Sequence, residues 1–227
     1  MSGYVFAPEP AAAVPVLGDE RRFPVRRIFC VGRNYAAHAK EMGGDGRSPP
    51  FFFAKPADAV MPAGTAIPYP SRTHNLHHEV ELVVAIGAAG VDLQPADAGR
   101  LVFGYAVGVD LTRRDLQSEA KSRGEPWEAG KAFDASAPIG AIRRWSGPPP
   151  QGAIRLSVNG EVRQQATLAD MIWNVPEIIC EASRLWRLCA GDLIFTGTPE
   201  GVGPLAPGDA VRCEIEAVGE LVFSIAA

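Results

Sequence analysis

Apolar and polar positions along the chain follow two rhythms, and the shorter one dominates. Residues 27–31 (RIFCV) form a short strand-like run stopped by Gly32, and 51–54 (FFFA) form an apolar one, entered from Pro49-Pro50. Both have the length and the bounding residues of short strands, the second a buried one. Segment 79–87 (EVELVVAIG) is the clearest strand signal in the chain, and 101–111 (LVFGYAVGVDL) is a second long β-rich run. Residues 154–158 and 161–165 flank Asn159-Gly160, the strongest short-range signal for a hairpin. Segments 192–196, 210–217 and 220–225 are expected to add three more strands.

One stretch carries the helical period instead. Val175, Ile178, Ile179, Ala182, Leu185, Trp186 and Cys189 recur on one face, with Pro176 near the start and Gly191 past the end. This predicts a helix lying across a sheet. Residues 35–42 are expected to form a loop or short helix ended by Gly43-Gly44, and Pro148-Pro149-Pro150 marks another loop. The Ala/Pro-rich residues 1–24 predict an extended arm, which leaves 25–227 as the folded domain. Strands outnumber helices, no βαβ rhythm is present and no GxGxxG occurs. The predicted class is mixed α+β, mainly β, with a few short helices, and the pattern argues against a dinucleotide fold.

A chain of 227 residues with 47% hydrophobic and 21% charged residues can bury a real core in one β-rich domain. A net charge of −4 offers no basic field to nucleic acid or to an anionic membrane, so a small molecule is the expected partner. No window approaches the ~18 uncharged apolar residues of a membrane span. The first apolar stretch is broken by Pro8, Pro10 and Pro15 and lacks a preceding basic residue, unlike a secretory signal. A cytoplasmic location is expected. Cys30, Cys180, Cys189 and Cys213 lie far apart without a CxxC pair, as reduced and mostly buried thiols would.

Three acids stand out against this background. Side chains alternate along a strand, so Glu79 and Glu81 point the same way. A solvated edge would tolerate such a pair, but the strand continues as Val83-Val84-Ala85-Ile86, apolar on both faces, and buried anions need a compensating cation. Asp110 ends another apolar run. Three oxygen ligands of this kind suit a hard ion such as Mg²⁺ or Mn²⁺. His77 and His78 could turn the site toward a transition metal, although a supporting role suits them better because the acids alone satisfy a hard cation.

His38 and Glu41, three residues apart, share a face on a helical turn, so the carboxylate can orient the imidazole as a general base. A solvated helix would also carry such a pair. The flanking Gly32, Gly43, Gly44 and Gly46 make the segment a candidate lid. Lys131 is a lone cation among small residues, either solvated or facing an anionic substrate. Residues 196–203 follow a strand and offer backbone N–H groups and hydroxyls, as carboxylate-binding loops do and as a simple turn would.

Seven motifs occur in a fixed order. They are Gly32-Arg33-Asn34-Tyr35-x-x-His38-x-x-Glu41-Met42, Phe53-x-Lys55-Pro56, His78-Glu79-Val80-Glu81-Leu82, Asp110-x-Thr112-x-Arg114-Asp115-x-Gln117, Gly124-x-Pro126-Trp127, Lys131-x-Phe133-Asp134 and Thr196-Gly197-Thr198-Pro199-x-Gly201-Val202-Gly203. Together, over roughly residues 26–225, the chain resembles the fumarylacetoacetate hydrolase family in its short, single-domain branch. The resemblance implies a rolled, mixed β-sheet or barrel fold and a homodimer. It also implies Mg²⁺ or Mn²⁺ on Glu79, Glu81 and Asp110, a water-activating dyad of His38 and Glu41, a catalytic Lys131, and substrate contacts from Arg33, Gln117 and Thr198.

Among short members, Tyr4-Val5-Phe6-Ala7-Pro8 and the run from Pro50 to Phe53 are similar to bacterial fumarylpyruvate hydrolases of aromatic catabolism. The implied reaction is hydrolysis of the C–C bond of an acylpyruvate, a 2-oxo acid. The same platform would serve a decarboxylase or tautomerase acting on oxaloacetate. A non-catalytic metal-binding protein would leave the dyad and Lys131 without a role.

Overall fold

A computed structural model of the protein describes residues 3–36 and 47–227. Strands β1 (Ala13–Val16) and β2 (Asp19–Pro24) form a hairpin, followed by β3 (Arg27–Gly32), β4 (Phe51–Lys55), β5 (Val60–Pro62) and β6 (Ala66–Ile67). Then come β7 (Leu76–His78), β8 (Val80–Ile86), helix α1 (Pro95–Ala98), β9 (Val102–Val109), β10 (Thr112–Arg113) and the helices α2 (Arg114–Arg123) and α3 (Glu128–Lys131). Strands β11 (Ala137–Ile139), β12 (Arg143–Arg144), β13 (Ala153–Val158) and β14 (Glu161–Thr167) precede helix α4 (Val175–Leu185). The chain closes with β15 (Asp192–Phe195), β16 (Gly203–Leu205), β17 (Ala210–Ile215) and β18 (Gly219–Ile225).

The architecture is mainly β, as expected. An eight-stranded sheet runs β4-β3-β15-β8-β9-β11-β5 with β12 also on β9, and a five-stranded sheet runs β14-β13-β17-β18-β6. The large sheet is mixed, since β15 lies parallel to β3 and antiparallel to β8. A further three-stranded sheet runs β10-β7-β16.

Every residue of β8 is buried, which the two-sided apolar pattern requires. One face, with Val80, Leu82, Val84 and Ile86, packs in a core shared with the five-stranded sheet and α4. The other, with Val83 and Ala85, packs in a second core against Ile28, Cys30, Leu193 and Phe195. Glu81 lies on this second face, so the acids stand at the end of a dry layer.

Two expectations change in detail. The predicted arm contains the β1–β2 hairpin, because Val14, Val16 and Phe23 alternate inward and join the second core. The helix predicted through Cys189 ends at Leu185. Trp186 turns extended and stacks on Phe29 at 4.7 Å, while Leu188 bridges to Gly90 through backbone bonds of 2.9 and 3.0 Å. At its start, Asn174 and Glu177 form a reciprocal capping box, with bonds of 3.1 and 3.0 Å. Among the described residues, no helix is long and apolar enough to cross a membrane. The four cysteines are free thiols, and Cys30, Cys180 and Cys213 are buried.

Candidate metal centre and catalytic cleft

Glu79 is the single residue between β7 and β8, where the chain passes from the small sheet to the large one. Asp110 occupies the matching joint on the partner hairpin, between β9 and β10. The ladders pair Val80 with Val109 and His77 with Thr112, and the Asp110 N–H donates to the Glu79 carbonyl at 2.9 Å. Glu81 lies two residues further along, opposite Gly108. One carboxylate oxygen from each of Glu79, Glu81 and Asp110 falls within 4.8 Å of the others. All three residues are buried.

Three anions in a dry site require cations, and the structure supplies three. Lys131 Nζ donates to Glu79 Oε2 at 2.8 Å, Asp110 Oδ2 at 2.7 Å and Thr112 Oγ1 at 2.7 Å. Lys55 Nζ lies 2.8 Å from Asp110 Oδ1 and donates to the carbonyls of Leu111, at 3.1 Å, and Lys131. Arg114 ion-pairs with Glu79 Oε1 and donates to Gln117 Oε1 at 2.6 Å. Lys131, which a solvated reading would have left exposed, is only 2% exposed.

Lys55 belongs to the motif Phe53-x-Lys55-Pro56, yet its role was not foreseen. The available signal was a charge at the end of an apolar strand, in phase with Phe53. Arg114 and Gln117 share one side of α2, whose polar composition hides its amphipathicity.

Electrostatics follow from this crowding. Burial, then the charges of Asp110 and Glu79, push the Glu81 carboxyl well above its usual range, against the pull of Lys131 and the Gly197 N–H. Burial disfavours the Lys131 ammonium, but Asp110 and Glu79 outweigh it and its pKa is raised. Burial, helped by Arg114, lowers His77 to about 4, and burial also lowers His78.

Both imidazoles are engaged by groups other than the three acids. His77 Nδ1 accepts from Arg114 Nε at 3.4 Å and His78 Nδ1 meets Gln164 Oε1 at 3.0 Å. The three clustered donors are all oxygen, and this fits a hard divalent ion.

The loop after β15 closes another side. Gly197, at φ 95°, donates its N–H to Glu81 Oε2 at 2.7 Å. A side chain there would place Cβ 2.7 Å from Asn34 Cβ. Asn34, fully buried, ties the end of β3 to this loop and to Trp173, donating to the carbonyls of Thr196 at 2.8 Å and Trp173 at 2.9 Å. Arg33 has a left-handed backbone (φ 57°) and holds its guanidinium 5.7 Å from the Phe51 ring centre. Arg33, Gln117, Lys131 and Thr198 line one cleft with the three acids, together with the aromatic rings of Phe51 and Trp127. His38 and Glu41 lie outside the described residues.

Residues 27–226 match the family described as Fumarylacetoacetate (FAA) hydrolase C-terminal. The chain belongs to this family. Its fold superposes with a TM-score of 0.95 on a fumarylpyruvate hydrolase from Pseudomonas aeruginosa solved in complex with Mn²⁺ and pyruvate, 50% identical and covering 98% of this chain and 99% of that one. A mitochondrial oxaloacetate tautomerase of Mus musculus is 43% identical over 202 residues, 88% of this chain and 91% of that protein. A fumarylpyruvate hydrolase of a Ralstonia species is 42% identical over 176 residues, 77% and 92% of the two chains.

Proposed function

We propose that this chain is a metal-dependent hydrolase of acylpyruvates, with fumarylpyruvate as the favoured substrate and fumarate and pyruvate as products. The observation that carries the reading is the buried oxygen triad with the Lys131 ammonium bound to two of its members. The 50% identity to the P. aeruginosa hydrolase over nearly the whole chain supports this substrate.

Glu79, Glu81 and Asp110 would hold the divalent ion, Mg²⁺ or Mn²⁺, and when bound it supplies positive charge that anchors and polarises a 2-oxo acid. The chain's own groups do the rest. Arg33, Gln117 and Thr198 hold the polar ends of the substrate. His38, oriented by Glu41, takes a proton from water as its oxygen bonds to the distal ketone carbon. The C–C bond between that carbon and the pyruvyl methylene then breaks. The released pyruvate enolate is stabilised by the fixed Lys131 charge until its carbon is protonated. In this reading residues 25–227 are the catalytic unit, acting as a cytoplasmic homodimer.

The likeness to the mouse tautomerase favours a second reading, keto–enol interconversion of oxaloacetate on the same residues. An assay with Mg²⁺ or Mn²⁺ decides between them, using fumarylpyruvate, acetylpyruvate and oxaloacetate while quantifying fumarate, pyruvate, carbon dioxide and the oxaloacetate enol. Equal yields of fumarate and pyruvate are expected. Rapid enol–keto conversion of oxaloacetate with no acylpyruvate cleavage would overturn the hydrolase reading.

A further inference from the structure

We infer that Gln164, a residue outside the cleft, is a positioning residue that sets the hydrogen-bond polarity of Thr198 and so makes this hydroxyl a donor to an anionic ligand. The inference rests on the proposal that a 2-oxo acid occupies the cleft.

Gln164 projects from β14 and is 1% exposed. Its Oε1 accepts from the Val80 N–H at 3.1 Å, and its Nε2 donates to the Pro199 carbonyl at 2.9 Å and to Thr198 Oγ1 at 2.9 Å. These partners allow one orientation of the amide. Flipped, it would set an NH₂ against a backbone N–H and an oxygen against a backbone carbonyl.

Two consequences follow. His78 Nδ1, 3.0 Å from an oxygen that can only accept, must carry a proton. Thr198 Oγ1 accepts from Gln164, and its own proton has no acceptor among the described residues. Thr198 lines the cleft beside Glu81, so that proton is available to a ligand.

One side chain therefore connects the backbone between Glu79 and Glu81 to the loop carrying Thr198. A group seated against this hydroxyl has to accept a hydrogen bond, as a carboxylate does. A hydroxyl free to rotate would also accept from neutral donors and would discriminate less.

Calorimetric binding of pyruvate to the Mn²⁺-loaded protein tests this, with Mn²⁺ affinity measured separately by electron paramagnetic resonance. Thr198→Val is expected to weaken pyruvate by about tenfold or more, the usual worth of a hydrogen bond to a charged group. Thr198→Ser should stay close to wild type. Gln164→Met should weaken pyruvate several-fold in the wild-type background and add nothing to Thr198→Val, because it acts only through that hydroxyl.

If Gln164→Met does not fold, Gln164→Asn, a neutral amide one methylene too short to reach Thr198 from the same strand position, takes its place, and the same non-additivity is expected of it. Equal losses from the Gln164 variant with and without the Thr198 hydroxyl, or no loss at all, would overturn the inference alone. A wild-type protein that binds Mn²⁺ but not pyruvate would overturn the 2-oxo acid reading and this inference with it.

Discussion

Lys131 Nζ lies 2.7 Å from Asp110 Oδ2, while Lys55 Nζ holds the other oxygen of the same carboxylate at 2.8 Å. Asp110 is thus clamped by two ammonium groups, and only Lys131 also lines the cleft. The two lysines compensate the same charge from opposite sides, so their removal should have different consequences.

Lys131→Met is expected to lower turnover by about 10²- to 10³-fold, the usual cost of removing a group that stabilises developing charge. Mn²⁺ should bind at least as tightly, because a competing cation has gone. Turnover and a spin-resonance titration of Mn²⁺ check both halves. Loss of Mn²⁺ binding in parallel with turnover would reassign Lys131 to building the site.

Lys55→Met leaves Asp110 short of a partner in a dry environment, and a cost of about 3–5 kcal/mol is expected. The urea midpoint should fall in chelator and recover in part when Mn²⁺ is added, since the ion replaces the lost charge. An equal loss with and without Mn²⁺ would show that packing of the Lys55 stem, rather than its charge, is what matters.

Gly197→Ala should weaken metal binding without removing a ligand. The position has φ 95°, and the new Cβ would meet Asn34, so the loop must shift and carry its N–H away from Glu81. Backbone strain of this kind costs on the order of 1–3 kcal/mol. A Mn²⁺ dissociation constant unchanged from wild type would contradict the role given to this N–H.

Acidification should destabilise the fold through His77. Its pKa is about 4 in the folded protein against an ordinary 6.5, because burial and the neighbouring Arg114 disfavour the imidazolium. The unfolded chain therefore binds the proton first. The stability associated with neutral His77 is complete above pH 6.5 and is lost as pH falls from 6.5 toward 4. Urea midpoints across this window should fall more steeply for wild type than for His77→Gln, and parallel slopes would refute the assignment.

Much of the candidate site could be read from the chain because its chemistry is local. Glu79 and Glu81 occupy alternate positions before an apolar run, and Asp110 ends another. A charge held at the edge of a buried strand stays conspicuous in one dimension. The same locality made the Asn159-Gly160 hairpin and the start of α4 predictable, since turn geometry and capping depend on neighbours in sequence. Helix α2 escaped because its residues, RDLQSEAKSR, show no apolar stripe, and its two buried residues are Gln117 and Ala120.

The far end of α4 depended on Phe29 and Gly90, residues distant in sequence that draw Trp186 and Leu188 out of the helix. Gln164 is also a case where composition is silent. Gln164 and Gln165 are the same residue type side by side, yet the pleat buries the first and leaves the second exposed. Strand alternation, turn chemistry and the clustering of acids thus follow from the order of residues alone. Which cation neutralises which acid, and which way the Thr198 hydroxyl points, depends on strands brought together from far apart, because a buried charge or amide takes its character from whatever the fold packs against it.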